Sequence, residues 1–155
     1  MTQPDRPSGP RILVDADACP VKDEIYKVAL RHGVAVSVVA NSFLRVPTHE
    51  LITRVQVGDG FDAADDWIAD QAGPGAVTVT ADILLADRCL KAGGLVLAPT
   101  GKAFTENSIG GAIAARAIMA DLRAGGDQVG GAPPFTKADR SQFLQALDAA
   151  LVRLK

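Results

Sequence analysis

Carboxylates gather in this sequence where apolar runs end and helical segments begin. The run Ile12-Leu-Val14 closes on Asp15-Ala-Asp17, Asp82 follows Val77-Thr-Val-Thr80, and one helical segment opens with Asp62, Asp65 and Asp66. Two carboxylates about 4 Å apart repel by roughly 4 kcal/mol at an effective dielectric of about 20. Three or four that converge therefore raise one another's pKa values or require a cation. Oxygen-only donors suit Mg2+ or Mn2+, and Mg2+ usually keeps several waters and takes a phosphate oxygen from its substrate. That equipment hydrolyses phosphodiesters, because the metal activates a water and neutralises charge on the leaving oxygen.

Each acid also has a purely structural use. Asp62 is a good N-cap with Asp65 as its capping-box partner, Asp82 can cap the helix that follows it, and Asp66 suits the positive end of a helix dipole. Asp87 can pair with Lys91 one turn on. Asp15 and Asp17 resist such a reading, since a strand of Ile, Leu and Val has no structural need for two acids at its end. Ser42, Thr80 and Thr105 can hydrogen-bond a phosphate or cap turns. Arg45, Arg54, Lys102 and Arg116 form a basic rim or are scattered solvated charge. Neither His32 nor His49 has a partner at metal-binding spacing, Cys19 and Cys89 read as small buried thiols, and Trp67 reads as core.

The elements that position these residues follow from periodicity and punctuation. Arg11–Asp15, Val34–Ala40, Arg54–Val57, Ala76–Thr80 and Leu95–Leu97 read as strands. A helix follows Pro20 and ends at Gly33, and Thr48–Leu51 reads as a short helix. Further helices run from Asp62 to Ala72, Asp82 to Ala92, Ile109 to Arg123, and onward from Thr136-Lys-Ala-Asp139, a capping box with Asp in place of Glu. Strands alternating with helices predict an α/β chain with a central parallel sheet covered on both faces, a three-layer α/β/α domain. In such a sheet the ligand site lies beyond the carboxyl ends of the strands, where the acids fall.

The chain has 155 residues, 48% hydrophobic and 22% charged, which fits one globular domain and excludes a disordered chain. Residues 1–10, with Pro4, Pro7 and Pro10, are expected to form a disordered tail ahead of a single domain over 11–155, and Gly125–Pro134 reads as a flexible loop. The apolar runs are too short to span a bilayer, no basic-then-apolar leader opens the chain, and the two cysteines fit a reducing compartment, so a cytoplasmic location is expected. The net charge of −2 and the 5% aromatic share advertise no nucleic-acid surface. Of the 18 acidic residues, 15 are aspartate, a short side chain suited to caps, turns and hard cations.

Val14-Asp-Ala-Asp-Ala-Cys-Pro20, Gly60-Phe-Asp-Ala-Ala-Asp-Asp-Trp67 and Val79-Thr-Ala-Asp-Ile-Leu-Leu-Ala-Asp-Arg-Cys89 together resemble the bacterial YaiI/YqxD family, which is related to PIN and NYN nuclease domains. The resemblance continues through Thr105-Glu-Asn-Ser-Ile109 and Gly130-Gly-Ala-Pro-Pro-Phe-Thr-Lys137, and so covers nearly everything after the tail. It implies a PIN-like α/β/α fold with an acidic metal site at the carboxyl edge of the sheet. The first-strand acid of the PIN pattern falls on Asp15, the mid-domain helix acids on Asp62 and Asp66, and the acid after the fourth strand on Asp82. The sequence departs from many PIN nucleases in having Asp17 beside Asp15 and no second acid directly after Asp82.

Three functions compete. The first is a divalent-metal-dependent nuclease with RNA as the expected partner. In it Asp15, Asp66 and Asp82 hold Mg2+ or Mn2+, Asp17 and Asp62 support them, and Ser42, Arg45, Thr80, Lys102 and Thr105 bind substrate. The second is a non-catalytic module that binds RNA or a protein. The third is a haloacid-dehalogenase-like phosphatase, with Asp15 as nucleophile and Asp17 as general acid. Against that third reading, Cys19 stands where Thr or Val is usual, and little chain is left for a cap domain.

Overall fold

The computed structural model describes residues 9–58, 60, 62–124 and 135–154. The expected tail, apart from Gly9 and Pro10, and the expected loop Gly125–Pro134 lie outside the described residues. Six strands, β1 (Arg11–Asp15), β2 (Ala35–Ala40), β3 (Ile52–Gln56), β4 (Ala76–Val79), β5 (Leu95–Leu97) and β6 (Ala103–Phe104), form one sheet in the order β3-β2-β1-β4-β5-β6. The first five are parallel, and β6 closes the edge antiparallel to β5. Strand order reverses between β1 and β4, which are direct neighbours, so the crevice that suits a ligand opens beyond Asp15 and Thr80.

Helices α1 (Lys22–His32) and α5 (Lys137–Leu154) cover one face, while α2 (Ala63–Gln71), α3 (Ile83–Lys91) and the start of α4 (Glu106–Ala124) cover the other. Side chains alternate across the sheet accordingly. Ile12, Val14, Val36, Val38 and Val79 meet Ile25, Val28, Phe143, Leu147 and Leu151 on the first face. Leu13, Val39 and Val96 meet Ala64, Ile68, Leu85 and Cys89 on the second. Each large side chain fully buried this way contributes about 1.5–3 kcal/mol. The domain is thus the expected three-layer α/β/α arrangement.

Local signals act as the residue types dictate. Gly33 takes φ of +68° and ends α1, its amide donating to Leu30 O. Thr136 and Asp139 cap α5 reciprocally: Thr136 N donates to Asp139 Oδ2 at 3.0 Å and Asp139 N to Thr136 Oγ1 at 3.1 Å.

Three expectations change. Residues 48–51 form a turn and not a helix, because the His49 ring captures the Leu51 amide at 3.0 Å and Ile52 N pairs back to His49 O at 3.1 Å. This brings β3 forward to Ile52. α4 starts at Glu106, three residues before Ile109, because Thr105 and Ser108 exchange amide-to-hydroxyl bonds of 3.1 Å across its first turn. The two-residue strand β6 has no counterpart in the sequence reading.

Candidate acidic cleft

The carboxyl edge is assembled from chain reversals that leave carboxylates at its rim. β1 ends at Asp15, and a 3₁₀ turn over Ala16–Ala18 carries Asp17 outward. Lys22 closes this turn from below, donating to Cys19 O at 2.8 Å and Ala16 O at 3.4 Å. Across the edge, Asn41 N at the end of β2 donates to Asp17 Oδ2 at 3.1 Å. On the other side, Thr80 donates its hydroxyl to Asp15 Oδ2 at 2.8 Å and accepts from Asp82 N at 3.0 Å. Asp82 then caps α3, its Oδ1 accepting from Leu84 N at 2.9 Å and Leu85 N at 3.2 Å. One oxygen of Asp15 and one of Asp82 are thereby committed to the fold, and the second oxygen of each receives no hydrogen bond among the described residues.

Asp62, Asp65 and Asp82 line a cleft of about 350 Å³ together with Leu84, Leu85, Arg88 and Arg116. Asp62 makes no side-chain cap for α2, so the capping-box use of Asp62 and Asp65 is not realised. Burial, joined by the charges of Asp82, Asp15 and Asp62, raises the Asp65 pKa from 3.8 to about 6, against a lowering by Arg88. Burial also raises Asp15. The Thr80 hydrogen bond opposes that rise, and the charges of Asp82 and Asp17 add to it. The edge therefore holds more negative charge than its arginines neutralise.

Asp66, expected as a ligand, is turned away: it is exposed and pairs with Arg88 Nη1 at 3.0 Å. Helix geometry explains the exchange. Ala64 and Ile68 of α2 are buried, and at about 100° per residue Asp65 lies on the flank of that buried stripe while Asp66 lies opposite it. The angular position of Asp65 was the available signal. Arg88 gave none, since nothing in its local sequence distinguishes it from a solvated charge.

The other expected residues divide. Thr80 is 2% exposed and holds the two acids, so its hydroxyl does not reach out to a phosphate. Thr105 caps α4. Ser42 and Arg45 are exposed on the loop after β2, and Lys102 lines a separate apolar hollow with Pro99, Thr100 and Phe104. Asp87 pairs with Lys91 at 2.8 Å, and His32 Nε2 lies 2.6 Å from Asp148. Burial pushes the Cys19 and Cys89 thiols up, which keeps them protonated and unreactive.

The donor set fits a hard divalent cation in chemistry, being all carboxylate, with Asp15 and Asp65 raised by burial and by neighbouring negative charge. It is not assembled in advance: among the described residues no three His, Cys, Asp or Glu side chains converge closely enough to hold an ion. No helix among the described residues is long and apolar enough to cross a membrane.

The family model described as "Uncharacterized BCR, YaiI/YqxD family" matches residues 13–153. A UPF0178 protein of Sphingopyxis alaskensis is 73% identical over 149 residues, covering 96% of this chain and 97% of the relative. UPF0178 proteins of Rhodopseudomonas palustris (strain HaA2) and Nitrobacter winogradskyi are 62% and 60% identical, covering 93% and 94% of this chain and 88% and 92% of those relatives. No solved structure matches the chain at a significant level. The family match takes in both the first-strand acids and the last helix, and the chain belongs to the YaiI/YqxD family.

Proposed function

We propose that the acidic cleft hydrolyses phosphodiester bonds with the help of Mg2+ or Mn2+, and that RNA is the substrate. The observation that carries this reading is the composition of one cleft: Asp62, Asp65 and Asp82 share its walls with Arg88 and Arg116, at the edge where strand order reverses. Carboxylates alone repel a phosphodiester, and arginines alone bind it without activating water. Both in one cleft suit a phosphate that arrives with a cation. The resemblance to PIN and NYN nuclease domains supports the same chemistry.

Asp15, Asp65 and Asp82 are the residues to hold the cation, through the oxygens the fold leaves uncommitted and through water. Bound there, it would supply an activated water and charge neutralisation at the leaving oxygen. Arg116 offers a planar fork to a non-bridging phosphate oxygen, and Arg88 does so on release from Asp66. Thr80 keeps Asp15 and the start of α3 in register. Asp17, tied to Asn41 N, and Asp62 add negative potential at the rim.

The test is a Mn2+ titration by calorimetry, followed by cleavage assays on single-stranded and structured RNA. Wild type is expected to bind and cleave, and Asp15→Asn to do neither. No heat at millimolar Mn2+ refutes the reading. A second reading, nucleic-acid binding without hydrolysis, is favoured by the absence of a preassembled ligand triad among the described residues. Binding of RNA that survives Asp15→Asn, with no cleavage by wild type, selects it.

A further inference from the structure

We propose that Phe43, backed by Arg54, is a stacking platform for an unpaired nucleobase, so that this face receives single-stranded nucleic acid. Phe43 is 67% exposed, the most exposed large hydrophobic side chain among the described residues. It is not turned out for want of a core. Leu44 and Val46, in the same loop, pack against the α1–α5 core, so the loop is anchored by its neighbours while the Phe43 ring faces water.

The guanidinium of Arg54 lies over that ring, 4.3 Å from its centroid. Arg54 comes from the edge strand β3, in register with Val38. A cation on one face holds the ring in place, and the ring's exposure leaves surface for a second flat partner. A nucleobase suits this arrangement because every base offers a π-face, and arginine adds cation–π attraction and a phosphate contact. Arg45, exposed in the same loop, adds a second positive charge. With a net charge of −2, the chain as a whole offers a polyanion no attraction, so binding must come from local contacts of this kind.

The platform sits beside the rim of the cleft, on the α1–α5 face of the sheet, because Arg54 is in register with Val38. Asn41 N is bonded to Asp17, and Phe43 follows two residues later, within roughly 8 Å of backbone. Asp15 is paired with Val39, which faces α2 and α3, so a strand whose base stacks on Phe43 crosses the rim at Asp17 to reach Asp15. The inference deepens the proposed hydrolysis by naming the substrate class, and it rests on that reading for the direction in which the strand runs.

The test is fluorescence anisotropy in EDTA, where no hydrolysis can occur, with short labelled oligouridylate, oligothymidylate and a matched abasic strand. Wild type is expected to bind both base-bearing strands. Tighter binding of oligouridylate assigns the platform to RNA, and tighter binding of oligothymidylate assigns it to DNA. Phe43→Ala is expected to weaken binding about 5- to 150-fold, the range for loss of one stacked base. Phe43→Trp should restore binding, with indole emission quenched beyond any change seen for Trp67 in wild type. The abasic strand should bind wild type and Phe43→Ala equally weakly. An unchanged affinity in Phe43→Ala, equal binding of the abasic strand by wild type, or no binding by wild type overturns the platform. Because the assay excludes cleavage, weakened binding in Phe43→Ala beside an inactive wild type retains the platform and removes hydrolysis. Cleavage lost in Asp15→Asn beside unchanged binding in Phe43→Ala does the reverse.

Discussion

Thr80 donates its hydroxyl to Asp15 across the point where strand order reverses, at 2.8 Å, in a side chain that is 2% exposed. The same oxygen receives the amide of Asp82, so one buried hydroxyl sets the distance between the two strand-end acids. Thr80→Val keeps the shape and removes both bonds. It is expected to cost about 2 kcal/mol, since Asp82 N loses its acceptor, and to raise the Asp15 pKa further, since the one hydrogen bond lowering it is lost. Urea denaturation and a carboxyl-carbon NMR titration of Asp15 measure the two effects, and an unmoved Asp15 titration contradicts the assignment.

Asp82 caps α3, and substitution can separate that duty from the cation binding proposed for it. As the N-cap of α3 it is worth about 1 kcal/mol, so Asp82→Ala lowers stability by that amount, while Asp82→Asn, an equally good cap, does not. Both variants remove the charge that the proposed cation site would use. Loss of Mn2+ heat in Asp82→Asn at unchanged urea midpoint is the expected result. Full metal binding by Asp82→Asn would leave Asp82 with capping alone.

Much of this architecture is legible in the residues because the signals are local. Asp15 and Asp17 end an apolar strand, Gly33 takes the left-handed turn that stops α1, and Thr136 with Asp139 closes a capping box. What escaped depends on contacts across the chain or on small angular differences. β6 is two residues long and exists only by pairing with β5. Residues 48–51 carry helix-compatible side chains, yet Ile52 N bonds back to His49 O in an antiparallel bridge where β3 begins. Asp65 and Asp66 differ by one position and about 100°, and spacing alone did not say which faces the cleft. Arg88 reaches Asp66 from 22 residues away, a pairing that only the packing of α2 beside α3 creates.

That angular difference gives a sharp comparison. Asp65→Asn is expected to weaken Mn2+ binding at least about 10-fold, while Asp66→Asn changes it less than about 2-fold, a ratio at the low end for losing a metal-site group. Calorimetry on the two variants side by side decides it. The reverse order would restore Asp66 as the ligand and remove Asp65 from the cation site.

Gly101, just before Lys102 and β6, has φ of +90°, and a Cβ there would lie 2.7 Å from the backbone of Gln142 in α5. The neighbour is main chain and cannot swing aside. Gly101→Ala therefore carries both the left-handed penalty and a clash, about 2–4 kcal/mol together. A thermal midpoint within experimental error of wild type would show that the β5–β6 turn is not pressed against α5.

Asp65 also makes a prediction whose sign is unusual for a carboxylate. Its folded pKa of about 6 lies above the ordinary 3.8, so between roughly pH 4 and 6 the folded chain holds a proton that the unfolded chain has released. Stability must then fall as pH rises through that window, and above it the folded chain carries the full cost of burying the ionised Asp65 and crowding it with Asp82, Asp15 and Asp62. Asp65→Asn removes this cost. Its urea midpoint should exceed that of wild type at pH 7 and converge with it below about pH 4, and solvent screening keeps the gap under about 1 kcal/mol. Added Mn2+ should narrow the gap at pH 7 by stabilising wild type alone, because a cation does for the ionised cleft what the substitution does by deleting a charge. A gap that persists unchanged at pH 4 would mean that Asp65→Asn acts through packing and that the carboxylates are not in electrostatic conflict.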